Sequence, residues 1–169
     1  MDEPADRPSR HDAPASGGFV PEDFPVPGGL EDGTFRLVPL GPEHNESDYE
    51  AWTTSIDHIR RTPGFEQYDW PIPMTPAENM ADLVRHADDF RARTGFTYSV
   101  MDENDHVIGC VYIYPADRPG HAVVRSWVRK ECADQDAVLY KTVDTWVGST
   151  WPFADYQYAP RTTQYAHAD

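Results

Sequence analysis

Three strand-like runs stand back to back between residues 96 and 129, and no other feature limits the fold as much. Phe96 to Met101 and Val107 to Tyr114 are separated by Asp102-Glu103-Asn104-Asp105, and Asp117 to Gly120 leads into His121 to Arg129. Turn residues between apolar, β-prone runs specify hairpins, so these segments predict three consecutive antiparallel strands. A chain with this meander at its centre needs helices to cover the sheet. Two helical patterns precede it and one follows. Asn45 can cap a helix carrying Tyr49, Trp52, Ile56 and Ile59, which Pro63-Gly64 stops. Thr75, Pro76 and Glu78 spell a capping box with Pro at the first helical position. The apolar stripe Met80, Leu83, Val84, Ala87 and Phe90 follows, and Gly95 closes this helix. The third helix runs from about residue 134, with Asp134 as N-cap, to Thr150, and carries Val138, Leu139, Val143, Trp146 and Val147. Single strands are predicted at either end, over Phe35 to Leu40 and Ala154 to Ala159. The fold class is α+β, a mostly antiparallel sheet flanked by helices.

The first 34 residues differ in kind. They hold six of the 16 prolines, five of the 11 glycines, eight acidic and two basic residues. Residues 1–18 lack the apolar side chains needed to offset ordering and are expected to be disordered. Residues 19–30 space Phe19, Val20, Phe24, Val26 and Leu30 with Pro and acid, the pattern of either a strap laid over the domain or a solvated leader. The domain proper is placed at 35–169.

The chain carries 29 acidic against 14 basic residues, a formal charge of −15. Such a chain repels phosphate backbones and anionic lipid, so neither nucleic acid nor a membrane is an expected partner. The N-terminus has no basic, apolar leader of the secretory kind, and Cys110 and Cys132 make no disulfide framework. A reducing cytoplasm is the expected compartment. No G-x-S-x-G, P-loop or H-E-x-x-H occurs, and the seven His residues show no metal-ligand spacing, so no metal is expected.

The order strand, helix, helix, three antiparallel strands, helix, strand resembles the GNAT acetyltransferase superfamily over residues 35–161. Three stretches carry the likeness: FRLVPLGPEHNESDYEAW, GFTYSVMDENDHVIGCVYIYP and VVRSWVRKECADQDAVLYKTVDTWV. Asp105-His106-Val107-Ile108-Gly109 is similar to the opening of the family's third strand. Ser126-Trp127-Val128 stands where its fourth strand carries an aromatic-aromatic-aliphatic triplet. The whole string resembles a divergent, actinobacterial-type member. The resemblance implies an acyl-CoA-dependent N-acyltransferase acting on a small amine, with acetyl-CoA or another acyl-CoA as cofactor. Ser126, Trp127 and Val128 would align with pantetheine, and Arg129, Lys130 and Gln135 would lie near the pyrophosphate.

Two departures from that pattern bear on function. The family follows its fourth strand with Q/R-x-x-G-x-G/A, whose glycines let backbone N–H groups wrap the pyrophosphate. This chain has Cys132-Ala133-Asp134-Gln135-Asp136-Ala137 there and no glycine from residue 121 to residue 147. The coenzyme loop is degenerate, with two carboxylates where phosphates would lie. The chain also stops about ten residues beyond its fifth strand, where the family continues. The groove beside that strand is then open, or covered by a second copy in a homodimer or by the strap.

An aromatic pocket is the remaining candidate. Tyr68 and Trp70 lie in the loop that in the family covers the acceptor. Tyr98, Tyr112, Tyr114 and Arg125 lie on the strands. Rings with polar tips suit a small-molecule substrate, and they suit a plain core equally. On strand parity Tyr112 and Tyr114 share a face with Cys110 and Ile108. His58 and His86 fall on the polar faces of their helices. Glu66, Asp69, His121 and Asp155 are the candidate general bases, none singled out by pattern. A second reading stays open beside the acyltransferase: a GNAT-fold protein that has lost coenzyme A, has no cofactor, and binds or transforms a small molecule in the aromatic pocket.

Overall fold

The computed structural model describes residues 18–161. The expectations for residues 1–17 and for the last eight residues lie outside these. One six-stranded sheet forms in the order β1 (Leu30–Glu31), β2 (Arg36–Pro39), β3 (Phe96–Met101), β4 (Val107–Pro115), β5 (His121–Val128) and β6 (Asp155–Tyr158). Neighbours are antiparallel except β5 and β6, which run parallel. The helices are α1 (Asn45–Thr53), α2 (Ile56–Arg60), α3 (Pro76–Ala92) and α4 (Asp136–Thr150). The α+β architecture agrees with the sequence reading.

Because side chains alternate along a strand, the sheet supports two cores. One face carries Phe96, Tyr98, Val100, Val111, Ile113 and Val124 against Leu139, Val143 and Trp146 of α4. The other carries Met101, Val107, Cys110 and Trp127 against Trp52 of α1 and Leu83 of α3. Residues 19–31 belong to the first core. Phe19 stacks on Phe96 and Phe153, Phe24 leans on Trp151, and Val20 is buried. Arg93 donates to the carbonyls of Pro21 and Phe24, and the Tyr98 hydroxyl donates to that of Pro27. Order therefore starts before Phe35, and Leu30–Glu31 adds a strand not expected from the sequence.

Several local expectations need correction. Asn45 does not cap α1. Its amide donates to the Pro76 carbonyl and its oxygen accepts from Asn79. The predicted helix breaks at Thr54-Ser55 into α1 and α2. The capping box at Thr75 and Glu78 forms, but the buried stripe of α3 runs through Asn79 and Leu83, leaving Met80 and Val84 exposed. Arg93, not Gly95, takes the left-handed position that ends α3. Gly95 instead makes room for the Tyr114 ring, since a Cβ there would lie 2.1 Å from it. Asp134 is exposed in a 3-10 turn, and α4 starts only at Asp136, which is buried.

Ile108 was expected on the face of Cys110, yet it packs in the opposite core. Val100 faces Gly109 while Met101 faces Val107, so one extra residue of β4 is accommodated in a bulge and the alternation slips. At Gly109 the strands approach so closely that a Cβ would lie 2.2 Å from the Trp127 carbonyl oxygen. Backbone cannot move aside as a side-chain tip can. Gly109→Ala is expected to destabilise the fold by about 2–3 kcal/mol in urea unfolding, in the range of overpacked cores. A loss below about 0.5 kcal/mol would contradict this packing.

Candidate functional site

The β5–β6 pairing covers only His121 to Val124 on one strand and Asp155 to Tyr158 on the other. Beyond Val124, β5 continues to Val128, and α4 begins close by. The guanidinium of Arg161 fills this divergence. Its Nε donates to Asp136 Oδ2 at 2.7 Å, its Nη1 to the Ala159 carbonyl at 2.8 Å, and its Nη2 to the Ser126 carbonyl at 2.8 Å. Arg161 and Asp136 side chains are each 1% exposed. An ion pair this buried is maintained only when its donors are satisfied, and each Arg161 N–H here has an acceptor.

The residues expected to hold a coenzyme divide accordingly. The Ser126 hydroxyl bonds the Tyr158 hydroxyl at 2.6 Å, Val128 is core, and Trp127 donates to the Tyr112 hydroxyl from the other face. Arg129 is held between Glu50 at 3.2 Å and Glu131 at 3.1 Å. Lys130 is exposed, and its backbone N–H is taken by the Ser55 hydroxyl. Gln135 occupies the N-cap of α4 without a side-chain cap bond. Arg161 and Asp136 thus fill the space between Ser126 and the start of α4, and no glycine lies in the backbone there.

Tyr68, Trp70, Tyr112 and Arg125 lie on one side of the sheet. Register places Tyr112 beside Arg125 and Cys110 beside Trp127. Arg125 lies over the Tyr68 ring at 4.0 Å, and Trp70 packs on Trp52, Phe65 and Trp127. Tyr98 is the exception. It lies fully buried on the opposite face, among Phe90, Trp146 and Trp151, and cannot join this group. Of the proposed bases, Glu66 and Asp69 are exposed in the loop, with Glu66 accepting from the Gly64 N–H. His121 and Asp155 sit side by side at the start of the β5–β6 pair. At ~3.3 Å per residue they are about 16 Å along the strand from Ser126.

Two clusters were not visible in the sequence. On α3, His86 is not solvated on a polar face. Its Nδ1 lies 2.8 Å from the Tyr114 hydroxyl, which donates to Asp89 Oδ2 at 3.0 Å. The Thr97 hydroxyl lies 3.2 Å from the same Nδ1. His58 is also half-buried, and its Nε2 meets no hydrogen-bond partner among the described residues. Between α1, α3 and β4, the buried Asp48 carboxylate accepts from Asn79 at 3.0 Å and from the Cys110 thiol at 3.7 Å. Asn79 in turn accepts from the Trp52 indole. The first cluster leaves only the i, i+3 spacing of His86 and Asp89 in the sequence, and Asp48 leaves no pattern. Among the described residues no group of three or more His, Cys, Asp or Glu could hold a metal, and no helix is long and apolar enough to cross a membrane.

No family profile and no curated protein sequence matches this chain. Solved structures do. The microcin C7 self-immunity acetyltransferase MccE, in complex with acetyl-CoA and AMP, superposes with a TM-score of 0.60 at 10% identity over 73% of this chain and 66% of its own. The chain has the GNAT fold. Ribosomal-protein-S5-alanine acetyltransferase from Vibrio fischeri gives a TM-score of 0.55 at 14% identity, covering 72% and 68%. RimL, a ribosomal L7/L12 α-N-protein acetyltransferase in complex with coenzyme A, gives 0.55 at 12%, covering 72% and 67%. This chain spans about two thirds of each GNAT neighbour.

Burial pushes the Asp48 carboxyl up to about 6, against the lowering bonds from Asn79 and Cys110. A folded-state value above the unfolded one means the native state binds the proton more tightly. Stability is then highest below the unfolded value near 3.8 and falls as pH rises to about 6, by about 3 kcal/mol in all. Asp48→Asn removes this titration. Its stability relative to the parent chain is expected to increase between pH 4.5 and pH 8 in urea unfolding. A difference that is flat or reversed across that range would contradict the assignment.

Proposed function

We propose that the protein is an acyl-CoA-dependent N-acyltransferase acting on a small amine, with weak coenzyme binding because Arg161 must first leave the β5–β6 divergence. One observation carries this reading. In a fold whose solved neighbours include complexes with acetyl-CoA and coenzyme A, β5 and β6 part beside the N-terminus of α4. With Arg161 displaced, that gap would offer strand edge for a pantetheine amide chain to pair with, through Ser126, Trp127 and Val128. Lys130 and Gln135 stand nearest the anionic end, and Arg129 would have to share its guanidinium with Glu50 and Glu131.

The acceptor would lie on the sheet face of Tyr112, Tyr114 and Arg125, under the loop bearing Glu66, Tyr68, Asp69 and Trp70. His86 is added to the acid–base candidates of that face, since its Nδ1 bonds the Tyr114 hydroxyl, which in turn bonds Asp89. The cytoplasm remains the proposed compartment, and a homodimer the proposed assembly.

A second reading is favoured by the completeness of the Arg161 bonds. A guanidinium whose donors are all satisfied in a buried site is costly to displace, and a chain that has given up coenzyme A has no need to displace it. Calorimetric titration with acetyl-CoA separates the two. Binding with a Kd of about 0.1 mM or weaker, roughly −5.5 kcal/mol, is the expected result. Saturation below 1 µM would show that Arg161 is no obstacle. No heat at several millimolar, with no acyl transfer to any amine, would favour the second reading.

A further inference from the structure

Six acceptors converge at the start of α4 on a single planar cation. They are both Asp136 carboxylate oxygens at 2.7 and 3.3 Å, the Ser126 carbonyl at 2.8 Å and hydroxyl at 3.4 Å, the Ala159 carbonyl at 2.8 Å, and the Pro63 carbonyl at 3.4 Å. The Tyr140 and Tyr158 rings stand 5.7 and 5.9 Å from the guanidinium carbon. The acceptors come from four separate parts of the chain: the loop after α2, β5, the end of β6 and the first residue of α4. A guanidinium has five N–H donors in a fixed fork, and this arrangement gives each of them an acceptor. An ammonium has three donors on a point charge and would leave several of these buried oxygens unmet. The cage is therefore shaped for one class of cation.

The cage also stands where the β5–β6 edge would otherwise be exposed. The Ser126 carbonyl, a backbone acceptor on the part of β5 that β6 does not pair with, is taken by Arg161 Nη2. We propose that this cage is a guanidinium-binding site which the chain fills with its own Arg161, and that the side chain so bound is a built-in competitor of ligands entering between β5 and β6. The competition with acyl-CoA rests on the function proposed above. The guanidinium site does not.

The test uses the full-length chain carrying Arg161→Gly, with ethylguanidinium as probe and ethylammonium at equal ionic strength as control. The variant is expected to gain a few degrees in melting midpoint with millimolar ethylguanidinium and little with ethylammonium, while the parent chain responds to neither. If the variant is unfolded at 25 °C, recovery of its near-UV circular dichroism with ethylguanidinium alone is the same supporting result. Equal effects of the two cations, or none, overturn the site. In the second arm both chains are titrated with acetyl-CoA. At least tenfold tighter binding by the variant, weakened by added ethylguanidinium, supports the competition. Equal affinity overturns it. If neither chain binds acetyl-CoA, the acyltransferase reading and the competition fall together, and ethylguanidinium uptake still decides the guanidinium site.

Discussion

The ion pair between Asp136 and Arg161 closes the seam where β5 and β6 part. β6 pairs with β5 over four residues only, and past that point the sheet has no ladder to hold the two strands together. One buried guanidinium takes over, bonding β5 through Ser126, the end of β6 through Ala159, and α4 through Asp136. Desolvating two charges costs several kcal/mol per ion, and attraction in a low dielectric offsets that only with good geometry and satisfied lone pairs. The pair is therefore weak evidence for net stability. It is strong evidence for a specified arrangement, because breaking one side would leave a buried charge unmatched.

That seam sets the functional question. A GNAT fold supplies a gap beside the α4 N-terminus, and a helix N-terminus by itself attracts anions. Here the helix end already has its anion, the Asp136 carboxylate, and that carboxylate already has its cation. The nearby positive side chain of Arg129 is likewise engaged by Glu50 and Glu131. On the opposite sheet face Arg125, Tyr68, Tyr112, His86 and Tyr114 form a more varied surface, joined by a His–Tyr–Asp hydrogen-bond chain. Coenzyme and acceptor questions thus fall on two faces of one strand pair.

Strand and helix identity were readable because period and capping chemistry are local. The Thr75 box, the turns at 102–105 and 117–120 and the alternation of β5 needed no knowledge of the rest of the chain. Departures arise where a residue answers to something distant. Ile108 changes face because a bulge shifts the register of β4 against β3. Tyr98 leaves the expected pocket because face assignment across strands depends on pairing that parity within one strand does not specify. Asn45 abandons its helix end for Pro76 and Asn79. Asp134 and Asp136 are two residues apart in similar sequence, yet one is exposed and the other sealed. What separates them is Arg161, 25 residues further on, in a segment whose polar composition carried no sign of a core partner. In residues 19–31 the Pro spacing left strap and solvated leader both open, and the apolar side chains pack into the first core.

The direct measurement of this account is a double-mutant cycle on the closing pair. Urea unfolding would be followed for the parent chain, Arg161→Ala, Asp136→Ala and the double variant. Each single substitution is predicted to cost about 3–5 kcal/mol, and the double variant little more than either, giving a coupling of roughly 3 kcal/mol. Single effects that add to within about 0.5 kcal/mol would contradict it, for then the two side chains would not act as one closure.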